Sequence, residues 1–222
     1  MKSRMRIVSF GDVHLSLRTI ERLAPELARA DLVILSGDLT NLGGPDEAET
    51  VLAATERYTR AVLAVSGNLD QPSVIDFLQA RGVSLHGQAR RFGDLDIFGC
   101  GGSNRTPFRT PTEFSDEELG AVLEHGFAQV TGAPHVLMVC HTPPADTVTD
   151  RIASGQHVGS PRVRRFIETH QPDACITGHI HEAAGLDHIG RTAVVNAGAC
   201  RDGGYIVASL SAAGLQVELR HL

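Results

Sequence analysis

The sequence predicts an α/β fold in which two β-sheets pack face to face with helices on their outer faces. Three observations predict it. Through the first third of the chain, short continuous apolar runs alternate with stretches of helical periodicity, the rhythm of βαβ units and a largely parallel sheet. From about residue 183 onward the texture turns to short strands joined by tight turns. At 222 residues, 42% hydrophobic and 21% charged, the chain is long enough to bury such a core without disulfides or a structural metal, and residues 1–222 read as a single domain.

Residues 6–10 are β-prone and end in Gly11-Asp12-Val13-His14. Residues 16–30 read as a helix, with Ile20, Leu23, Ala24 and Leu27 at helical spacing and Ser16 as N-cap. The run 32–35 is continuously apolar, as expected of a strand buried on both faces, and ends in Gly37-Asp38. A second helix follows over 47–58, with Ala48, Val51, Leu52 and Thr55 on one face. The third strand, 61–65, ends in Ser66-Gly67-Asn68-Leu69-Asp70, and Pro72 at a first helical position opens a helix that stops near Gly82. Short strands are expected over 83–86, 89–92 and 95–99, followed by a Gly-, Pro- and Thr-rich loop over 101–112 with no apolar period. Ser115 with Glu118 three residues on makes a capping box at the start of the next helix.

A strand over 135–140 ends in His141-Thr142-Pro143-Pro144. Residues 145–159 are polar and irregular, and at that length read as a functional loop. Ser160-Pro161 opens a helix through Val163, Phe166 and Ile167, and the strand 174–176 leads into Thr177-Gly178-His179-Ile180-His181. The last strands, 185–189, 192–196, 204–210 and 215–222, with turns at Gly190-Arg191 and Ala213-Gly214, read as an antiparallel meander.

The formal net charge is −6. No stable nucleic-acid binding is expected, because that affinity comes from Lys and Arg neutralising backbone phosphates. Of the 20 basic residues only Lys2 is a lysine, which reads as a compositional bias of the genome. Cys100, Cys140, Cys175 and Cys200 lie far apart in or beside apolar runs and form no C-x-x-C pair, so free buried thiols in a reducing compartment are expected. Residues 1–6 are basic, but the apolar run behind them is broken by Asp12, too soon for a signal peptide, and no stretch is long enough to span a bilayer. A cytoplasmic protein without membrane association is expected, with self-association left open.

Five strand ends carry polar residues of one chemical kind: Asp12 and His14, Asp38, Asn68 and Asp70, His141, and His179 and His181. In extended backbone, His179 and His181 point to the same side. Beyond the carboxyl ends of strands in an open α/β sheet, residues distant in sequence converge on one ligand site. A single Asp after a strand is usually a turn or cap residue; five strand ends in succession point to a shared site. Oxygen donors mixed with imidazole suit Mn, Fe, Zn or Mg, and the set is too large for one ion with room for substrate. It fits two ions, which clamp the attacking and leaving oxygens of an in-line displacement at phosphorus.

In that order, Asp12-x-His14, Gly37-Asp38, Gly67-Asn68-x-Asp70, His141 and Gly178-His179-x-His181 resemble the signature of the calcineurin-like metallophosphoesterases. His157-Val158-Gly159-Ser160, Val163-Arg164-Arg165-Phe166-Ile167-Glu168 and Gln171-Pro172 resemble a compact prokaryotic branch of predicted phosphoesterases. The resemblance implies a four-layer α/β/β/α sandwich of two mixed sheets, the metallo-dependent phosphatase fold. It implies a phosphoesterase, and more specifically a phosphodiesterase, that hydrolyses a small phosphate ester by in-line attack of a metal-bridging hydroxide, with nucleotides among the candidate substrates. The first metal would be held by Asp12, His14, Asp38 and His181, and the second by Asp38, Asn68, His141 and His179, so that Asp38 bridges. Mn or Fe is the expected pair, with Zn, Mg, Co and Ni as alternatives. Asn68 and His141 would take part in catalysis through the second metal, which binds the phosphate oxygen.

One block departs from the family pattern. Leu69 stands where the family often has a histidine that stabilises the transition state or protonates the leaving oxygen. Leucine does neither, which favours diesters with a better leaving group or a general acid from elsewhere. Candidate donors are Arg105 on the Gly-rich loop, for a non-bridging phosphate oxygen, and His157 on the polar loop, as the acid. The plain alternatives are a solvated loop arginine and a histidine bonded to backbone. Asp70 is expected to orient a ligand from behind, or to cap the helix after Pro72. The rival function is a catalytically weak or inactive metal-binding scaffold of the same fold.

Overall fold

A computed structural model of the chain describes residues 5–222; Lys2 and most of the basic N-terminal stretch lie outside the described residues. The elements in order are β1 (Met5–Phe10), α1 (Leu17–Leu27), β2 (Leu32–Ser36), α2 (Pro45–Glu56), β3 (Val62–Val65), α3 (Ser73–Ala80), β4 (Ala89–Phe92) and β5 (Leu95–Cys100). The two-residue strands β6 (Ser103–Asn104) and β7 (Glu113–Phe114) follow, then α4 (Asp116–Phe127), β8 (His135–Cys140), α5 (Pro161–His170) and β9 (Ala174–Thr177). The chain finishes with β10 (Gly185–Ile189), β11 (Thr192–Asn196), β12 (Gly204–Ser211) and β13 (Gly214–His221).

Two mixed sheets form, in the orders β13-β12-β1-β2-β3 and β10-β11-β9-β8-β5-β4. In the first, β1, β2 and β3 are mutually parallel, and in the second β5, β8, β9 and β11 are. Alternation along the strands sorts the apolar residues into three layers of core. Val8, Phe10, Val33 and Leu35 face α1 to α3, where they meet Ile20, Leu23, Val51, Leu52 and Leu78. Their neighbours Ile7, Ile34 and Val65 turn inward onto Ile97, Val139 and Ile176 of the second sheet. On its far side Phe98, Met138 and Val194 pack against α4 and α5 through Leu119, Leu123, Val163 and Phe166. The result is the expected α/β/β/α sandwich.

Two local expectations are corrected. Residues 83–86 are not a strand: Ser84 bridges to Ala64 of β3 and His86 to Gly99 of β5, one residue each. The segment is apolar because it crosses between the sheets. The last four strands are two hairpins in different sheets: β10 and β11 pair antiparallel and β11 joins β9 parallel, whereas β12 pairs antiparallel with β1 and β13. Tight turns close each hairpin, but a crossover through residues 197–203 separates them. In addition, the 101–112 loop contributes β6, paired parallel to β7. The Ser115–Glu118 capping box forms as read, as does the Ser160 cap of α5, where Ser160 Oγ accepts from Arg162 N and Val163 N.

Candidate metal centre

The parallel strands of each sheet end at one edge of the sandwich, which carries Asp12, His14, Asp38 and Asn68 from the first sheet and His141, His179 and His181 from the second. Backbone bonds knit these ends together: Asp12 N donates to Gly37 O, Val13 N and His14 N to Asp38 O, and Gly178 N to His141 O. Asp12, His14, Asp38 and His179 all lie in the left-handed region, at φ of 50°, 46°, 47° and 69°. Non-glycine residues enter that region rarely and at a cost, so the interlocking turns impose it. Glycines supply the close approaches. A Cβ on Gly67 would stand 2.0 Å from Asp38 Oδ1, and one on Gly37 (φ 106°) 2.2 Å from His141 Nδ1.

Two groups of donor atoms face each other across Asp38. In the first, His14 Nε2 and His181 Nε2 are 3.2 Å apart, and His181 Nε2 is 3.2 Å from Asp12 Oδ1. In the second, Asn68 Oδ1 lies 2.7 Å from His179 Nδ1 and 3.2 Å from His141 Nε2. Asp38 Oδ2 sits between the groups, 3.9 Å from His14 Nε2 and 3.6 Å from His141 Nε2. Two rings are pre-oriented from behind. His141 Nδ1 lies 2.8 Å from Ser36 O and His14 Nδ1 3.2 Å from Thr40 O; a carbonyl only accepts, so Nδ1 carries a proton and Nε2 is the atom turned into the site. Asp38 Oδ1 accepts from Leu69 N at 2.7 Å.

The electrostatics are those of a site assembled for cations. Burial opposes a charge on Asp38, yet His141, with the Leu69 amide and His14, holds its carboxyl below the ordinary value. Burial also opposes a charge on His141, but the Asp38 and Asp12 carboxylates and the Ser36 carbonyl outweigh it and push the ring up to about 10. Burial and the neighbouring His141 push His179 down to about 4. Its hydrogen bond to Asp12 raises His181. Four imidazoles and two buried carboxylates are therefore crowded into one small space, a poor resting arrangement that metal cations resolve. The residues fit such ions. Ligands about 2.0–2.2 Å from one ion stand about 3 Å from each other, close to the spacings above. Among the described residues, Asp12, His14, Asp38 and His181 each present a donor atom with all four within 4.8 Å. Asp12, Asp38 and His141 are 0%, 2% and 0% exposed, whereas His14, His179 and His181 are part-exposed, which gives a dry floor and an open mouth.

The other expected residues are placed differently. Asp70 is fully buried and accepts from Gly67 N, Thr40 N and Thr40 Oγ1 at 2.7–2.8 Å, and from Leu39 N at 3.2 Å. It ties the turn after Asp38 to the turn carrying Asn68 and does not cap α3, whose N-terminus has no side-chain cap. Burial and the nearby Asp38 push its carboxyl up to about 6. Arg105 is exposed on the loop between β6 and β7, and its charge reaches Glu118 at the start of α4. His157 is bonded through Nδ1 to Asp150 at 2.6 Å. Asn196, which the sequence reading passed over, is fully buried at the end of β11, and its amide donates to Gly178 O, Ile180 O and Thr149 O. It holds the backbone on either side of His179. The signal was present, since Val194-Val195-Asn196 is a sixth apolar run ending in a polar residue.

A family model described as calcineurin-like phosphoesterase matches residues 5–183. An uncharacterised protein of Methanocaldococcus jannaschii is 34% identical over 200 residues, covering 88% of this chain and 89% of that protein. Among solved structures, TT1561 of Thermus thermophilus superposes with a TM-score of 0.72 at 18% identity, covering 97% of this chain and 99% of that one. A dimetal phosphatase from Danio rerio superposes with a TM-score of 0.65 at 15% identity, covering 98% of this chain and 96% of that one. At those identities the two structures speak for the fold.

Proposed function

The chain belongs to the calcineurin-like phosphoesterase family of metal-dependent phosphoester hydrolases, and from that premise we propose that it is a dinuclear phosphodiesterase acting on a small phosphate ester. Asp12, His14, Asp38 and His181 would hold one ion, and Asp38, Asn68, His141 and His179 the other. The observation that carries this assignment is the position of Asp38 Oδ2, within 4 Å of an Nε2 of each donor group. Oxygen and imidazole donors favour Mn or Fe over thiophilic ions. Two such ions, when bound, supply an activated water at neutral pH and offset the charge that develops on the phosphoryl oxygens.

The chain's own residues do the rest. Ser36 O and Thr40 O fix the rings of His141 and His14, and Asn196 fixes the turn of His179, so the donors are positioned before a substrate arrives. Asp70 acts through the backbone of the Asp38 turn and does not touch substrate. Arg105, exposed on its loop, binds a non-bridging oxygen of the bound ester. Leu69, half-buried beside Asn68, has no proton to give, and this favours diesters over monoesters. Nucleotide esters are the first class to test. Among the described residues no helix is long and apolar enough to cross a membrane. Four free buried thiols suit a reducing compartment, which supports a cytoplasmic assignment.

The test is turnover of bis-p-nitrophenyl phosphate by the Mn²⁺-loaded protein. Hydrolysis that rises with metal occupancy supports the reading, and none above background with two ions bound removes it. Leu69 also motivates the alternative of a metal-binding scaffold. Asp38→Asn separates the two, since an enzyme loses turnover whereas a scaffold keeps its partner.

A further inference from the structure

Resting on that phosphoesterase reading, we propose that His157 is the catalytic acid that protonates the leaving oxygen, and that Asp150 is the positioning residue that holds its ring. Cleavage of a phosphate ester leaves an oxyanion that needs a proton, and the metal-facing turns have none to spare. His14, His141, His179 and His181 are committed to the ions, Leu69 is apolar, and Asp70 is buried in bonds to backbone and Thr40. Arg105 stays charged through the reaction.

The 145–159 loop is built to hold the His157 imidazole in one place. Asp150 is fully buried, and its carboxylate accepts from Thr147 N at 3.0 Å, Gly159 N at 2.9 Å and Asp146 N at 3.2 Å. Its remaining partner is His157 Nδ1, at 2.6 Å. The His157 side chain is 39% exposed, so the ring stands between a fixed anion and solvent with Nε2 directed away from the anion. A carboxylate on Nδ1 fixes the tautomer and the orientation of the ring, as it does in other carboxylate–histidine pairs.

The loop is also pinned to two of the turns that carry the metal donors, and to the opposite loop. Ser160 N donates to Pro143 O and Ala145 N to Ser160 O, beside the segment that follows His141. Asn196 ties Thr149 O to the carbonyls flanking His179, and Glu182, next to His181, accepts from Ala153 N. Asn104 Nδ2 donates to Val158 O from the opposite loop. A histidine in a loose polar loop would need none of this. In the reaction, the water oxygen forms the new bond to phosphorus while the bond from phosphorus to the leaving oxygen breaks. The electron pair of that bond goes to the leaving oxygen, which takes the Nε2 proton of His157. The ring regains a proton from solvent, and the proton lost by the attacking water returns to solvent, so one water is consumed per ester.

The experiment compares two diesters of similar shape on the full Mn²⁺-loaded chain: bis-p-nitrophenyl phosphate, whose leaving oxygen needs little help, and diphenyl phosphate, whose more basic leaving oxygen needs a proton. His157→Gln is expected to lower kcat on diphenyl phosphate by about 10²-fold, and by about tenfold less on the nitrophenyl ester, with two ions still bound per chain. Asp150→Asn, which keeps an acceptor but loses the charge, is expected to shift the same ratio by a smaller factor. Equal losses on both esters in His157→Gln, with metal content and Tm unchanged, overturn the assignment of the acid. A selective loss in His157→Gln with none in a folded Asp150→Asn overturns the role of Asp150. If the wild-type protein with two ions turns over neither ester, the inference falls together with the reading it rests on.

Discussion

The two rims of the site are built by different means. On the strand-end rim, each donor is buried or half-buried, several are locked by backbone bonds to the neighbouring turn, and four are forced into left-handed backbone. On the loop rim, residues 104–112 and 145–159 present exposed side chains, among them Arg105 and Phe108 with the latter 83% exposed, on backbone held from beneath by side-chain bonds such as those of Asp150, Asn104 and Asn196. The difference teaches where each kind of specificity resides. Ion positions need donor atoms fixed to within a fraction of an ångström before binding, which strand ends provide, whereas substrate choice tolerates the adaptable polar reach of loops.

Substitutions on the first rim should therefore be severe and measurable as lost metal. Asp38→Asn should remove more than about 10²-fold of turnover, beyond the range seen for residues that only support a ligand, and metal analysis should find fewer than two ions per chain. Retention of both ions would break the shared role of Asp38. Asn196→Ala should weaken the second ion by about 10- to 100-fold, read as a shifted Mn²⁺ titration of activity. Gly67→Ala should destabilise the fold by about 1–3 kcal/mol, because its Cβ meets the Asp38 carboxylate at 2.0 Å; an unchanged Tm would mean that this turn yields. On the loop rim Arg105→Ala should raise KM several-fold with kcat nearly constant, the pattern of lost uniform binding. A fall in kcat alone would move Arg105 into the chemistry.

The last prediction concerns a histidine on neither rim and is nil at neutral pH. His86 accepts from Gly101 N through Nδ1 at 3.0 Å, and burial pushes it down to about 4 from 6.5. The unfolded chain therefore takes up a proton before the folded one does. The stability this residue supports is complete above about pH 6.5 and is lost as pH falls from there towards about 4. His86→Gln should flatten that part of the profile in urea titrations between pH 4 and 7, and an unaltered slope would assign it to other groups.

What was legible in the sequence follows the same division. Each strand-end block is an apolar run that stops at Asp, Asn or His, and a parallel strand buried on both faces leaves no other reading of such a run. The convergence of five of them could be argued before any coordinate. The left-handed backbone at Asp12, His14, Asp38 and His179 could not, because neither residue type demands it and the cause lies in bonds between turns far apart in sequence. The Asp150–His157 pair was hidden for a related reason. Seven residues apart in a stretch without period, the two are joined by a loop path that only Gly159, Pro143 and Asn196 define. Residues 83–86 misled because a segment that crosses between two sheets is as apolar as one that runs within a sheet.

The donors come from both sheets, and the sheets otherwise meet through apolar side chains such as Ile34, Val65, Val139 and Ile176, which resist separation more than sliding. A pair of ions at the strand ends would act as a rivet through both layers. Loading should then be felt across the whole sandwich, with amide exchange slowing in β3 and β9 together and the melting temperature climbing with free Mn²⁺ as mass action requires.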